Sequence, residues 1–167
     1  MQIKSLSFIA SLLLFQLQWW LCISSGRTDY ALWGILAFLL AMGGLIIQCR
    51  SFVKLGFVLL LTVMGVLHDT LLMVLHVLSF RQASLLLPLW LMVLWFCFSC
   101  WFIFADWLNQ RYLAVALLFS FGGAGSYYFG TRLGIMMVPQ PAYFALIGLG
   151  WGCLGLIFVY LIRRYLP

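Results

Sequence analysis

The sequence predicts an all-α, polytopic membrane protein: six transmembrane helices, short loops, and both termini in the cytoplasm. Three observations carry this reading. Of 167 residues, 66% are hydrophobic and 7% charged, with a mean hydropathy of +1.17; a soluble domain needs about 25% charged residues to cover its surface. The apolar residues fall into runs of about 20, the length that crosses a hydrocarbon core of about 30 Å. The Lys and Arg residues stand between those runs and set topology. With the N-terminus inside, Lys4, Arg50, Lys54, Arg111, Arg163 and Arg164 are cytoplasmic, against Arg27, Arg81 and Arg132 on the other side. The chain reads as a single integral membrane domain over residues 1–167, with little left for any soluble part.

The first segment, about 5–23, ends at an expected turn, Ser24-Ser25-Gly26-Arg27-Thr28-Asp29. Lys4 and the apolar run after it have the form of a signal peptide, but no A-x-A-like site follows, so an uncleaved span is expected. Trp19 and Trp20 suit an interfacial belt, whereas Gln16 and Gln18 are amides that need partners in lipid. The second segment, 30–47, carries Ala37, Ala41 and Gly44, spaced for close helix approach. Gln48, Arg50 and Lys54 close it. The third, 55–78, contains Gly65–Leu78, GVLHDTLLMVLHVL. Arg81, Gln82 and Ser84 follow.

The fourth segment, 85–108, has Pro88 in its first turn, where a missing N–H costs little. Asp106, Asn109 and Gln110 mark its exit. The fifth, 112–130, repeats small residues at Gly122, Ser126 and Gly130; the sixth, 141–162, does so at Gly148 and Gly152. No internal repeat supports an inverted-repeat transporter.

Composition excludes some functions. The net charge of +6 comes from nine scattered Lys and Arg, without the basic stripe of a nucleic-acid binder. Cys22, Cys49, Cys97, Cys100 and Cys153 give no disulfide framework. Cys97 and Cys100 form a C-x-x-C inside an apolar span, with no positive charge to activate a thiol, and read as packing residues. Two histidines, even with one Asp beside them, are too few for a metal site. No metal and no cofactor is expected.

The candidate site starts from Asp69, the one carboxylate that does not close an apolar segment. An ionisable group deep in a span costs about 2.5–3.5 kcal/mol on insertion scales, which makes it a functional candidate. On a continuous helix Asp69 and His76 share a face, roughly 10 Å apart. His68 points some 100° away and is expected to be a packing neighbour. Counting depth from Lys4, Lys54 and Arg111 puts Gln16, Gln18, Trp19, Asp69, His76, Ser126, Tyr127 and Arg132 in the outer half of the membrane. If the first, third and fifth segments are neighbours, these residues line one outward-facing polar cavity and form its ligand-binding set. Each has a plainer alternative: Asp69 as a packing device satisfied by Gln or Tyr, His76 and Arg132 as headgroup contacts.

Several stretches together carry a resemblance to a family: Gln18-Trp19-Trp20, Gly65-Val66-Leu67-His68-Asp69-Thr70-Leu71-Leu72, Pro88-Leu89-Trp90-Leu91, and Gly122 through Gly134. In their order the chain resembles the bacterial membrane family called domain of unknown function 2878 (DUF2878), over essentially its whole length. The family brings no catalytic assignment. Its members tend to be encoded near cyclopropane-fatty-acid-synthase-like enzymes. That implies a multi-pass protein of the bacterial inner membrane, with membrane lipids and a lipid-modifying enzyme as partners. The resemblance also sets His68 apart from the family's usual residue before the Asp.

Three functions follow. The first is a non-catalytic protein that binds or handles a lipid-like, amphipathic molecule in the polar cavity. The second is an intramembrane lipid-modifying enzyme with Asp69 and His76 as acid–base groups. The third is an accessory subunit whose glycine faces pack on a membrane partner.

Overall fold

The computed structural model describes residues 2–28, 30–48, 51–81, 86–105, 108 and 111–166. Asp29, Cys49, Arg50, Gln82, Ser84, Leu85, Asp106, Asn109 and Gln110 lie outside them, as does the side chain of Lys4. The described chain is all-helical apart from one minimal sheet. Its order is α1 (Gln2–Thr28), α2 (Ala31–Gln48), α3 (Phe52–Val74), β1 (Ser79–Phe80), α4 (Leu89–Ile103), α5 (Tyr112–Arg132), β2 (Met136–Met137) and α6 (Tyr143–Tyr165). Four helices are long and apolar enough to cross a membrane: Ile9–Thr28 of α1, and α3, α5 and α6. Their outward leucines, isoleucines and phenylalanines are exposed, as a lipid-facing surface requires.

Three boundaries differ from the sequence expectation. Helix α1 continues through the expected turn to Thr28, whose hydroxyl bonds the carbonyl of Ser24 at 2.7 Å. Ser and Thr can return a hydroxyl to the carbonyl four residues back, so a Ser-Ser-Gly sequence need not break a helix. Gly26 also has a packing reason to be glycine: a Cβ there would come within 2.7 Å of the Trp90 ring. Helix α4 has 15 residues, about 22 Å, because it starts after Pro88 rather than enclosing it. It ends where Phe104 and Ala105 bond back to Trp101 and Phe102 in a tightened turn. Helix α3 stops at Val74 instead of reaching residue 78.

Contacts gather in two compact units. The first comprises residues 1–62 and 89–105, so it holds α1, α2, the first half of α3, and α4. Ala37 and Ala41 are buried there, and the thiol of Cys97 reaches the carbonyl of Ala37 at 3.6 Å. Close approach of this kind is what small residues permit. Phe15 stacks on Trp101 with ring centroids 5.3 Å apart, and Phe98 meets both rings.

The second unit comprises residues 63–88 and 106–167. Its densest packing joins α5 to α6, glycine against side chain. Gly148 and Gly152 lie over Ser120, and a Cβ at Gly148 would stand 3.0 Å from the Ser120 carbonyl oxygen. Gly123 lies under Trp151 so closely that any Cβ would overlap the indole. The Gly148–Gly152 spacing therefore packs as its sequence suggests. On α5 the packed face runs instead through Phe119, Gly123, Tyr127 and Gly130, while Gly122 is exposed.

Helices α3 and α5 end alike. At α3, His76 adopts φ 56° and its N–H bonds Met73 O at 3.0 Å, while Val77 N–H bonds Leu72 O at 2.9 Å. At α5, Gly134 adopts φ 71°, bonding Thr131 O at 3.1 Å, while Ile135 N–H bonds Gly130 O at 3.2 Å. Both are Schellman ends, with one cap residue, Leu75 or Leu133, before the left-handed residue and buried apolar residues, Val77 and Ile135, after it. The chain then extends into β1 and β2, which pair antiparallel with Ser79 opposite Met137 and Phe80 opposite Met136. This small clip was not anticipated from sequence, since two-residue strands carry no periodic pattern.

Candidate functional site

Asp69 lies in the half of α3 that belongs to the second unit, and it is fully buried. A carboxylate there needs hydrogen bonds, because an unpaired buried charge is far costlier than a paired one. Two side chains meet one oxygen. The Tyr127 hydroxyl, from α5, donates to Asp69 Oδ1. His68 Nδ1 stands 3.0 Å from the same oxygen. Trp151, from α6, sets its ring edge-on to His68 at 6.3 Å and to Tyr127 at 6.2 Å. Behind His68 the α6 backbone comes close: a Cβ on Gly150 would stand 2.6 Å from His68 Nε2.

The cluster is thus Asp69, His68, Tyr127 and Trp151. Tyr127 sits seven residues before Gly134, as Asp69 sits seven before His76, so the two bonded side chains hold equivalent positions before matched helix ends. Together with the clip they tie α3 to α5 at two levels. Chemically, a carboxylate flanked by an imidazole and a phenol can pass a proton among three groups. It can equally serve as a lock.

Two sequence expectations change here. His68, set aside as a neighbour, bonds Asp69 directly. A 100° step separates adjacent Cβ atoms, yet Nδ1 lies near its own Cβ and reaches back to the next side chain. The adjacency of an imidazole and a carboxylate inside an apolar run was the available clue. His76 does not share a helical face with Asp69, because α3 has ended and the left-handed backbone at residue 76 turns the chain away. Its side chain is exposed. His and Asn occupy this conformation more readily than most non-glycine residues.

Of the other predicted residues in this unit, Ser126 is partly buried beside Tyr127 in the chain, and Arg132 is exposed in the last turn of α5. Gln16, Gln18 and Trp19 belong to the first unit. Gln16 is exposed, and Trp19 stands edge-on to Trp20 with centroids 5.1 Å apart. Gln18 is 4% exposed, and its surroundings form a groove that sequence reasoning missed. One wall is α1, with Ser11, Leu14, Phe15 and Gln18; another is α2, with Leu40, Ala41, Gly44 and Leu45; the third is α4, with Cys100, Trp101 and Phe104. Ser11, Leu14, Phe15 and Gln18 fall at helical spacing on one face of α1, about 10 Å long. That pattern was visible in the sequence, but its partner walls were not. Among the described residues, no three His, Cys, Asp or Glu side chains gather as a metal site would require.

No curated protein and no solved structure matches the chain. Residues 8–156 match the family described as protein of unknown function (DUF2878), which spans both the groove-lining face of α1 and the Asp69 cluster. The chain belongs to that family.

Proposed function

We propose that this protein binds a lipid-like, amphipathic molecule within the membrane, and that its ligand lies in the first-unit groove with Gln18 as the polar contact. The single observation that carries this reading is a nearly buried amide opening into a groove whose other walls are almost entirely apolar. Such a surface favours an acyl or isoprenoid chain that bears a hydrogen-bonding group, because the chain satisfies the walls and the group satisfies the amide. In this reading the Asp69 cluster anchors the second unit and does not touch the chain. In this reading the protein works in the bacterial inner membrane, beside an enzyme that modifies lipids. The test is mass spectrometry of lipids that co-purify with the detergent-solubilised protein. A retained lipid that Gln18→Leu loses while its fold persists supports the reading; equal retention in both proteins contradicts it.

A second reading has its own observation. The Asp69–His68 contact and the Tyr127 hydroxyl resemble an acid–base set, which supports an intramembrane lipid-modifying enzyme with His68, rather than His76, as the partner of Asp69. Asp69→Asn and His68→Ala would then abolish lipid modification in cells. Full modification by either variant removes that reading.

A further inference from the structure

The ends of α3 and α5 carry basic side chains that the helix ends do not use. An Arg in a last turn often hydrogen-bonds the final carbonyls. At α5 those carbonyls are already taken: Phe129 O by Leu133 N–H, Gly130 O by Ile135 N–H, Thr131 O by Gly134 N–H, and Tyr128 O by the Thr131 hydroxyl. Arg132 stands exposed beside this closed end. The clip brings a second guanidinium to the same place. With Ser79 opposite Met137 and Phe80 opposite Met136, Arg81 follows level with Ile135, three residues past Arg132. Opposed residues lie about 5 Å apart and three residues of non-helical chain span at most about 10 Å, so the two arginine Cα atoms fall within about 15 Å. Two arginine side chains span such a gap around one phosphate.

The surroundings agree. Gly134 lies between Arg132 and Ile135 in the chain, and a Cβ there would meet nothing within 4 Å, so the space beside it is open. His76 exposes its imidazole at the matching end of α3. Asp69, the one acidic residue among those described, is buried and bonded elsewhere. Exposed apolar residues flank the end: Leu75, Phe129 and Met137. The arginines of α6 differ. Arg163 lies over the Tyr112 ring at 5.0 Å and Arg164 over Tyr165 at 5.7 Å. Among the described residues, neither Arg81 nor Arg132 has an acidic or aromatic partner of that kind.

We infer that Arg81 and Arg132 form a recognition site for the phosphate of an anionic phospholipid headgroup. Guanidinium forks match phosphate oxygens in pairs, and the apolar rim receives the first acyl carbons. The inference rests on the lipid reading above only in taking a lipid as the source of the phosphate.

The test uses the full chain in detergent and native mass spectrometry with three probes: short-chain phosphatidylglycerol, phosphatidylcholine with the same chains, and glycerol 3-phosphate. Wild type binds phosphatidylglycerol in preference to phosphatidylcholine. Arg81→Gln with Arg132→Gln lowers phosphatidylglycerol affinity about 25-fold, roughly fivefold per arginine, and leaves phosphatidylcholine binding unchanged. Arg81→Lys with Arg132→Lys keeps most of the preference, which separates lost charge from lost fold. Arg163→Gln with Arg164→Gln keeps all of it. The inference is overturned if the glutamine pair binds phosphatidylglycerol within twofold of wild type, or if the α6 pair removes the preference instead. Glycerol 3-phosphate binding as tightly as phosphatidylglycerol also overturns it, because the site would then serve a free anion. Gln18→Leu leaves the headgroup preference intact, and the Arg81/Arg132 variants leave the co-purified lipid in place, so failure of either reading is distinguishable from failure of the other.

Discussion

Asp69 and Gln18 are both polar side chains buried in long apolar helices, and they are used in opposite ways. Asp69 has its oxygen filled from within the second unit by Tyr127 and His68, and Trp151 closes the space around them. Gln18 opens into a groove of the first unit whose walls are mostly hydrocarbon. Polarity inside a span therefore does not by itself mark a ligand site. What differs is whether the group is satisfied by the protein's own side chains or presented to an open groove. The costlier group, the carboxylate, is the one that the fold satisfies internally.

Substitutions can break or sharpen that contrast. The largest effect is expected at Tyr127→Phe, which strips a donor from a buried carboxylate and should cost about 2–3 kcal/mol, read by thermal unfolding in detergent. A loss near zero would mean that Asp69 has other donors and the cluster is not a lock. Next comes Gly123→Ala, whose methyl would overlap Trp151; displacing the wall of the cluster should cost about 2 kcal/mol. It should leave co-purified lipid in the folded fraction unchanged. His76→Gly should raise stability by about 1 kcal/mol, because glycine adopts the left-handed conformation without a Cβ penalty. A loss of stability there would mean that the imidazole makes contacts its exposure does not suggest. The smallest effect is Gln18→Leu, expected within about 0.5 kcal/mol of wild type, since removing an amide that faces a groove leaves no internal group unpaired.

The sequence was informative wherever a pattern was long. Six apolar runs became six helices, and Gly148 and Gly152 pack at the spacing that suggests close approach. Asp69 was recognisable as unusual from its neighbours alone, and Tyr127 at a compatible depth proved to be its bonded partner. What failed was local and conformational. The reach of His76 toward Asp69 assumed a continuous helix, and only a left-handed residue with paired Schellman bonds shows that α3 stops. No composition rule announces that stop, because His76 sits where glycine is commoner and Leu75, Val77 and Leu78 continue the apolar run. Ser24-Ser25-Gly26 read as a turn, although Gly26 is helical and its missing side chain leaves room for Trp90, sixty-four positions away. The groove was illegible for the same reason. Its α1 face is a plain helical spacing, and only packing reveals which residues of α2 and α4 oppose it.

The measurement that bears most directly on the account compares lipids retained by wild type, Gln18→Leu and Asp69→Asn, each normalised to folded protein. A ligand in the Gln18 groove predicts a lipid bound to wild type and to Asp69→Asn, and lost from Gln18→Leu. Retention in Gln18→Leu together with loss from Asp69→Asn would place the ligand at the carboxylate and contradict it.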